Sequence, residues 1–237
     1  MHHRWSRIAP WPNRRQIEQD LIISRALVAI FSDPFLHGEL RFRGGKAKSD
    51  PSPVAPKLRF RVDAEGEPAD ARINIKVEIN TRDREAYDPP IDIPFGVESP
   101  WFTGKASIPT FSREEMLATK LRALLQRDKG RDLFDLDHAL AVFKGLNTAR
   151  IVECFLLYLA KAEVTVSRAE AQRRMFQKLA NPTFFIDLRP LLPTDHAGWV
   201  SDETLKAAFV RVVKELIDRM PGDKWAKAEE MRERFGV

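Results

Sequence analysis

Residues 112–140 read SREEMLATKLRALLQRDKGRDLFDLDHAL, and the rest of the chain is organised around them. The spacing predicts two helices joined at one glycine. Ser112 can cap the first helix, and Glu115, three residues on, completes a capping box. Met116, Leu117, Leu121, Leu124 and Leu125 follow at helical spacing. Gly130, after Lys129, is expected to stop this helix, because glycine past the last turn is a common terminator. The second helix is expected to start near Arg131 and to bury Leu133, Leu136, Leu140 and Phe143.

Two features of the stretch are not needed for packing. On a helical wheel Lys120 falls inside the apolar arc, four residues from both Met116 and Leu124. Arg113 and Arg127 lie seven residues to either side, which makes a basic line along the arc's edge. In the second helix Asp132 and Asp135 are three apart and share a face beside the apolar stripe. A snorkelling lysine and aspartates that favour the helix macrodipole account for the same pattern without any chemistry.

The chain has 237 residues, 43% of them hydrophobic and 31% charged, which suits a globular protein with a sizeable core in one large domain or two small ones. One cysteine, Cys154, excludes an internal disulfide and fits a reducing cytoplasm. No run approaches the roughly 18 apolar residues of a membrane span. The N-terminus MHHRWSRIAPWP lacks the apolar core of a signal peptide. The five histidines show no metal-ligand spacing. Net charge is +5, and residues 1–62 hold twelve Lys or Arg against five Asp or Glu. A basic first quarter can attract phosphates or RNA, or can simply be a solvated surface.

In chain order, residues 1–12 read as an irregular arm pinned by Trp5 and Trp11. Residues 13–32 read as an amphipathic helix with a cap at Asn13, ended by Asp33-Pro34. Leu40 to Arg43 reads as a short strand running into Gly44-Gly45. Residues 57–80 alternate as a β-hairpin, with Lys57, Arg59, Arg61, Lys76 and Glu78 on its polar face. Residues 83–111 read as a proline-rich excursion, with Trp101 and Phe102 laid on the core and one short strand from Lys105 to Ile108. Beyond Asn147 helices are expected at 148–162, 167–180, 201–219 and 223–235, with PTFFIDLRPLLP (182–193) buried.

The wording of TKLRALLQRDKGRDLFDLDHAL closely resembles a signature of the AbiEii/AbiGii nucleotidyltransferase toxins, the enzyme halves of bacterial toxin–antitoxin and phage-exclusion pairs. The likeness extends to RRQIEQDLIISRALVAIF (14–31), LRFRGG (40–45), VEINTR (77–82) and VESPWFTGKASIPTFS (97–112). KGRDLFDL together with VEINTR and RFRGG is a specific combination; each alone is weak.

The resemblance implies an α+β fold. A small mixed or antiparallel nucleotidyltransferase-like sheet flanked by helices would occupy residues 1–111. A helical bundle carrying the signature would occupy 112–237. It implies transfer of a nucleotide from a nucleoside triphosphate to an RNA acceptor, with tRNA as the target class, magnesium as cofactor and a cognate antitoxin as partner. The expected setting is the cytoplasm, away from membranes. By the same resemblance Lys120 is the phosphate cation, and Asp132 and Asp135 order it or the acceptor. Arg131 adds a bidentate phosphate contact. Gly44 and Gly45 let backbone N–H groups approach the nucleotide phosphates. Glu78 is the third carboxylate of the site and a metal ligand. Lys120 and Asp132 are expected to face a shared cleft, and Glu78, on the polar face of a central strand, to open toward it.

The sequence departs from the family pattern after RFRGG. A Ser or Thr, a helix and a strand with two aspartates one residue apart are expected there, the pair holding magnesium from one strand face. Only the eleven residues KAKSDPSPVAP separate Gly45 from Lys57. A helix, a strand and their connections need at least about 25. Asp50 is the only acid in the interval, and Pro51, Pro53 and Pro56 deny it regular structure. Three readings stay open. The metal carboxylates come from other positions; or the chain is an inactive, degenerate scaffold that binds an antitoxin, nucleotide or RNA; or a segment is missing between Gly45 and Lys57, with a chain break or excision there.

Overall fold

Helix α1 (Arg14–Ser32) and the short α2 (Pro34–Glu39) open the computed structural model. It describes residues 14–42, 57–62, 73–79, 85–184 and 201–237, with only the backbone of Arg14 and of strands 57–62 and 73–78. The expected Trp5/Trp11 arm, the Asn13 cap, Gly44-Gly45 and the interval where a break is expected lie outside the described residues. So does most of 182–193, although Phe184 at its start is buried.

Asp33-Pro34 does more than end α1. The Asp33 carboxylate accepts the N–H of Leu36 at 2.9 Å, and proline takes the first helical position, where no N–H is needed. The pair therefore also starts α2, which the sequence reading lacks. Phe42 then pairs with Thr110 as an isolated parallel bridge. Its N–H donates to the Pro109 carbonyl at 2.8 Å, and the Thr110 hydroxyl donates to its carbonyl at 2.6 Å.

β1 (Lys57–Val62) and β2 (Ile73–Glu78) form an antiparallel pair. Their register sets Lys57 opposite Glu78, Arg59 opposite Lys76 and Phe60 opposite Ile75, the hairpin expected from alternation. Among the described residues this sheet has two strands, and Glu78 is the last residue of β2.

The proline-rich excursion is a second hairpin. β3 (Ile91–Ser99) pairs with β4 (Phe102–Thr110), a longer strand than the expected Lys105–Ile108. Prolines mask the alternation, but an edge strand tolerates a residue without an N–H. The Ser99 hydroxyl closes the turn, accepting the Phe102 N–H at 3.0 Å. Trp101 sits in that turn and is largely exposed, against expectation, whereas Phe102 packs inward. Val28 of α1 and Val97 of β3 form the core here, with Leu21, Phe95, Phe102 and Ala106 around them. Gly104 is needed at this contact: a Cβ would lie 2.7 Å from the Phe102 ring and 2.9 Å from Val28.

Two compact units divide between Phe111 and Ser112. The second is helical: α3 (Arg113–Gln126), α4 (Gly130–Val142), α5 (Thr148–Lys161), α6 (Arg168–Leu179), α7 (Asp202–Glu215), a 3-10 turn (Ile217–Arg219) and α8 (Ala228–Phe235). Asn147, Ser167 and Ser201 cap α5, α6 and α7 through side-chain oxygens. Leu121, Leu124, Leu133, Leu136, Ile151, Phe155, Met175 and Val212 fill the core at 0–1% exposure. Each such side chain contributes roughly 1.5–3 kcal/mol by leaving water. The architecture is α+β, with antiparallel strands flanked by helices.

Candidate active site

The signature stretch folds as two helices, but the joint is not built as glycine chemistry suggests. The Ser112 hydroxyl accepts the Glu115 N–H at 3.0 Å and caps α3. The Glu115 carboxylate is fully buried and accepts the Tyr158 hydroxyl at 2.6 Å. α3 ends at Arg127, which is extended at φ −138° and ψ 157°. Gly130 does not stop it. Gly130 is the first residue of α4, is buried, and donates its N–H to the Phe184 carbonyl at 3.0 Å. Phe143 is not buried either: it follows α4, is 39% exposed, and carries the Arg113 guanidinium 4.6 Å above its ring.

Lys120 and Asp135 meet across the two helices. The ammonium lies 2.5 Å from Asp135 Oδ2, with the lysine side chain 20% and the aspartate 38% exposed. Asp132 is held differently. Its carboxylate is 0% exposed and takes a two-pronged fork from Arg127, Nε to Oδ2 and Nη2 to Oδ1, each at 2.7 Å. Asp132 is thus sealed in protein, and Lys120 faces Asp135 in its place. Its location in the first turn of α4 also matches the helix dipole. Arg131, which immediately precedes Asp132 in sequence, is half-buried.

A third aspartate of α4, Asp137, is 3% exposed. Arg211 Nη1 of α7 lies 2.9 Å from its Oδ1, yet off the direction of a hydrogen bond, and that oxygen has no hydrogen-bond partner. Burial pushes the carboxyl above its ordinary 3.8, with Arg211 and His138 pulling the other way. A raised carboxyl pKa means the folded state disfavours the charged form. That penalty is fully present above the folded pKa and vanishes below 3.8. Asp137→Asn is therefore expected to be more stable than the parent at neutral pH, the gap closing as pH falls through the folded pKa. Chemical denaturation at both pH values reads this; a parent that is the more stable at pH 7 contradicts it.

Glu78 ends β2 in the other unit, and Gly44 and Gly45 lie outside the described residues. A divalent metal is not served by what is described. The three aspartates of α4 already lie on Lys120, Arg127 and Arg211. No group of three His, Cys, Asp or Glu among the described residues is placed to hold an ion. No helix among them is long and apolar enough to cross a membrane.

The sequence reading missed Lys178 of α6, which is 7% exposed and donates to the Arg127 carbonyl at 2.9 Å and to Asp128 Oδ1. The signal was present. Lys178 falls three residues after Met175 and seven after Ala171, on the buried stripe of α6, as Lys120 falls inside the arc of α3.

The family described as nucleotidyl transferase AbiEii toxin, Type IV TA system, matches residues 20–211. No curated protein and no solved structure matches the chain.

Proposed function

Since the chain belongs to the AbiEii nucleotidyl transferase toxin family, we propose that it transfers a nucleotide from a nucleoside triphosphate to an RNA acceptor, tRNA being the target class. Such toxins work within a toxin–antitoxin system, so a cognate antitoxin is the implied partner, and the cytoplasm is the proposed setting. The observation that carries the reading is the Lys120–Asp135 pair, a partly exposed cation oriented from a second helix inside the family's signature.

In the transfer, an acceptor hydroxyl gives up its proton to solvent as its oxygen attacks the α-phosphorus. The bond from that phosphorus to the bridging oxygen breaks, and pyrophosphate leaves. Negative charge grows on the leaving phosphates, and a fixed ammonium stabilises it. Lys120 supplies that ammonium, Asp135 aims it, and Arg131 adds a forked phosphate contact. Family chemistry generally draws on a divalent metal as well; the described carboxylates do not fit one.

A second reading has its own observation. The eleven residues between Gly45 and Lys57 lack the expected Asp-x-Asp strand. On that reading the chain is an inactive scaffold that binds an antitoxin, nucleotide or RNA. Each labelled triphosphate is offered to the full chain with total RNA and magnesium. Label in RNA supports transfer; triphosphate binding without label in RNA supports the scaffold.

A further inference from the structure

We propose that Lys178 is a positioning residue of the candidate active site, acting through the α3–α4 junction on the Lys120–Asp135 pair. The inference rests on the reading of Lys120 as the triphosphate cation.

Lys120 lies on α3, ahead of the junction, and Asp135 lies on α4, after it. Their contact therefore depends on the angle between the helices, and residues 127–130 set that angle. The last turn of a helix has carbonyls without intrahelical partners and carries the negative end of the dipole. Two cations from α6 meet it. Arg174 Nη1 donates to the Leu125 carbonyl at 3.1 Å, and Lys178 Nζ donates to the Arg127 carbonyl at 2.9 Å. Lys178 also holds Asp128 Oδ1 and sits 5.5 Å from the centre of the Phe184 ring. Phe184, just past α6, takes the N–H of Gly130 on its own carbonyl. One short segment thus anchors both ends of the junction.

Between those ends Arg127 reaches forward to Asp132 with both prongs of its guanidinium. The chain of contacts runs from Lys178 to the Arg127 backbone, from the Arg127 side chain to Asp132, and so into the first turn of α4. A buried ammonium is costly unless its hydrogen bonds are met, and packing alone would favour Leu or Met on this stripe. The charge at position 178 is spent on the junction.

The test uses the full chain with isotope-labelled lysine, the Lys120 side-chain resonance being assigned by its loss in Lys120→Ala. Lys178→Met keeps the length and removes the charge. The expected result is displacement of the Lys120 resonance toward that of a solvent-exposed lysine, with kcat for transfer falling about 100-fold, the scale of an ångström-level misplacement. Lys178→Arg is expected to restore both in part. A folded Lys178→Met chain whose Lys120 resonance does not move overturns the proposal. Should Lys178→Met not fold, Asp132→Asn must produce the same displacement, and an unmoved resonance there overturns it equally. If the variants show the displacement while the parent chain transfers no nucleotide, positioning stands and the functional reading falls, so the two failures are distinguishable.

Discussion

Lys120→Ala is expected to lower nucleotide transfer by about 10²–10³-fold, the usual loss when one preorganised charge stabiliser is removed from a reacting site. The same change should leave the fold nearly untouched. Lys120 is 20% exposed and Asp135 38%, so the pair is partly buried and its loss is expected to cost about 1 kcal/mol, the upper end for ion pairs near the surface. A side chain that matters greatly to rate and little to stability is serving ligand rather than core. Lys120→Arg should recover only part of the rate, because a planar fork does not replace a point charge at a phosphate. Steady-state transfer assays beside thermal melts separate the two effects. A Lys120→Ala chain that melts like the parent and transfers like it removes Lys120 from the site.

Arg127→Ala should have the opposite profile, with the larger effect on stability. It removes the two-pronged fork from the Asp132 carboxylate, which is 0% exposed, and leaves that charge without its guanidinium partner. Breaking a buried pair from one side costs about 3–5 kcal/mol. Arg127 is itself 31% exposed, so water can partly fill its place and the lower end, about 3 kcal/mol, is expected. For a chain of this size that is a fall of roughly 6–12 °C in melting temperature. Arg127→Ala/Asp132→Ala should be more stable than Arg127→Ala alone, since no charge is then left stranded. If the double variant is the less stable of the two, the fork is not what holds the junction.

The helices were legible because their caps and apolar spacing agree. Ser112, read as a cap from the sequence, accepts an N–H in the structure; Ser167 and Ser201, which open the expected helix ranges, prove to cap theirs as well. Hairpin β1–β2 was legible from strict alternation, whereas its register, with Phe60 opposite Ile75, is seen only in the structure. Hairpin β3–β4 was not, because Pro94, Pro100 and Pro109 read locally as breakers, while an edge position and a turn tolerate them. The Asp33-Pro34 pair showed only its stopping role, since a cap and a terminator use the same residues. Within the candidate site, the resemblance grouped Lys120 with Asp132 and Asp135 and set Lys120 beside Asp132, whereas the structure pairs it with Asp135. Which aspartate meets which cation depends on the angle between α3 and α4. A tertiary contact from α6, fifty residues away from Asp128, bears on that angle. Gly130 was misread for a related reason: its neighbour in space is Phe184, which local sequence does not reveal.

The most direct test of nucleotidyl transfer is a paired-label experiment with the full chain, RNA and one triphosphate at a time. In one arm the radioactive phosphorus is in the α position, in the other in the γ position. Nucleotide transfer keeps the α-phosphate in the product and expels the other two as pyrophosphate. The account predicts label in RNA from the α arm only, for at least one of the four triphosphates, and its loss with Lys120→Ala. Label from the γ arm, or none from either arm with all four triphosphates, contradicts it.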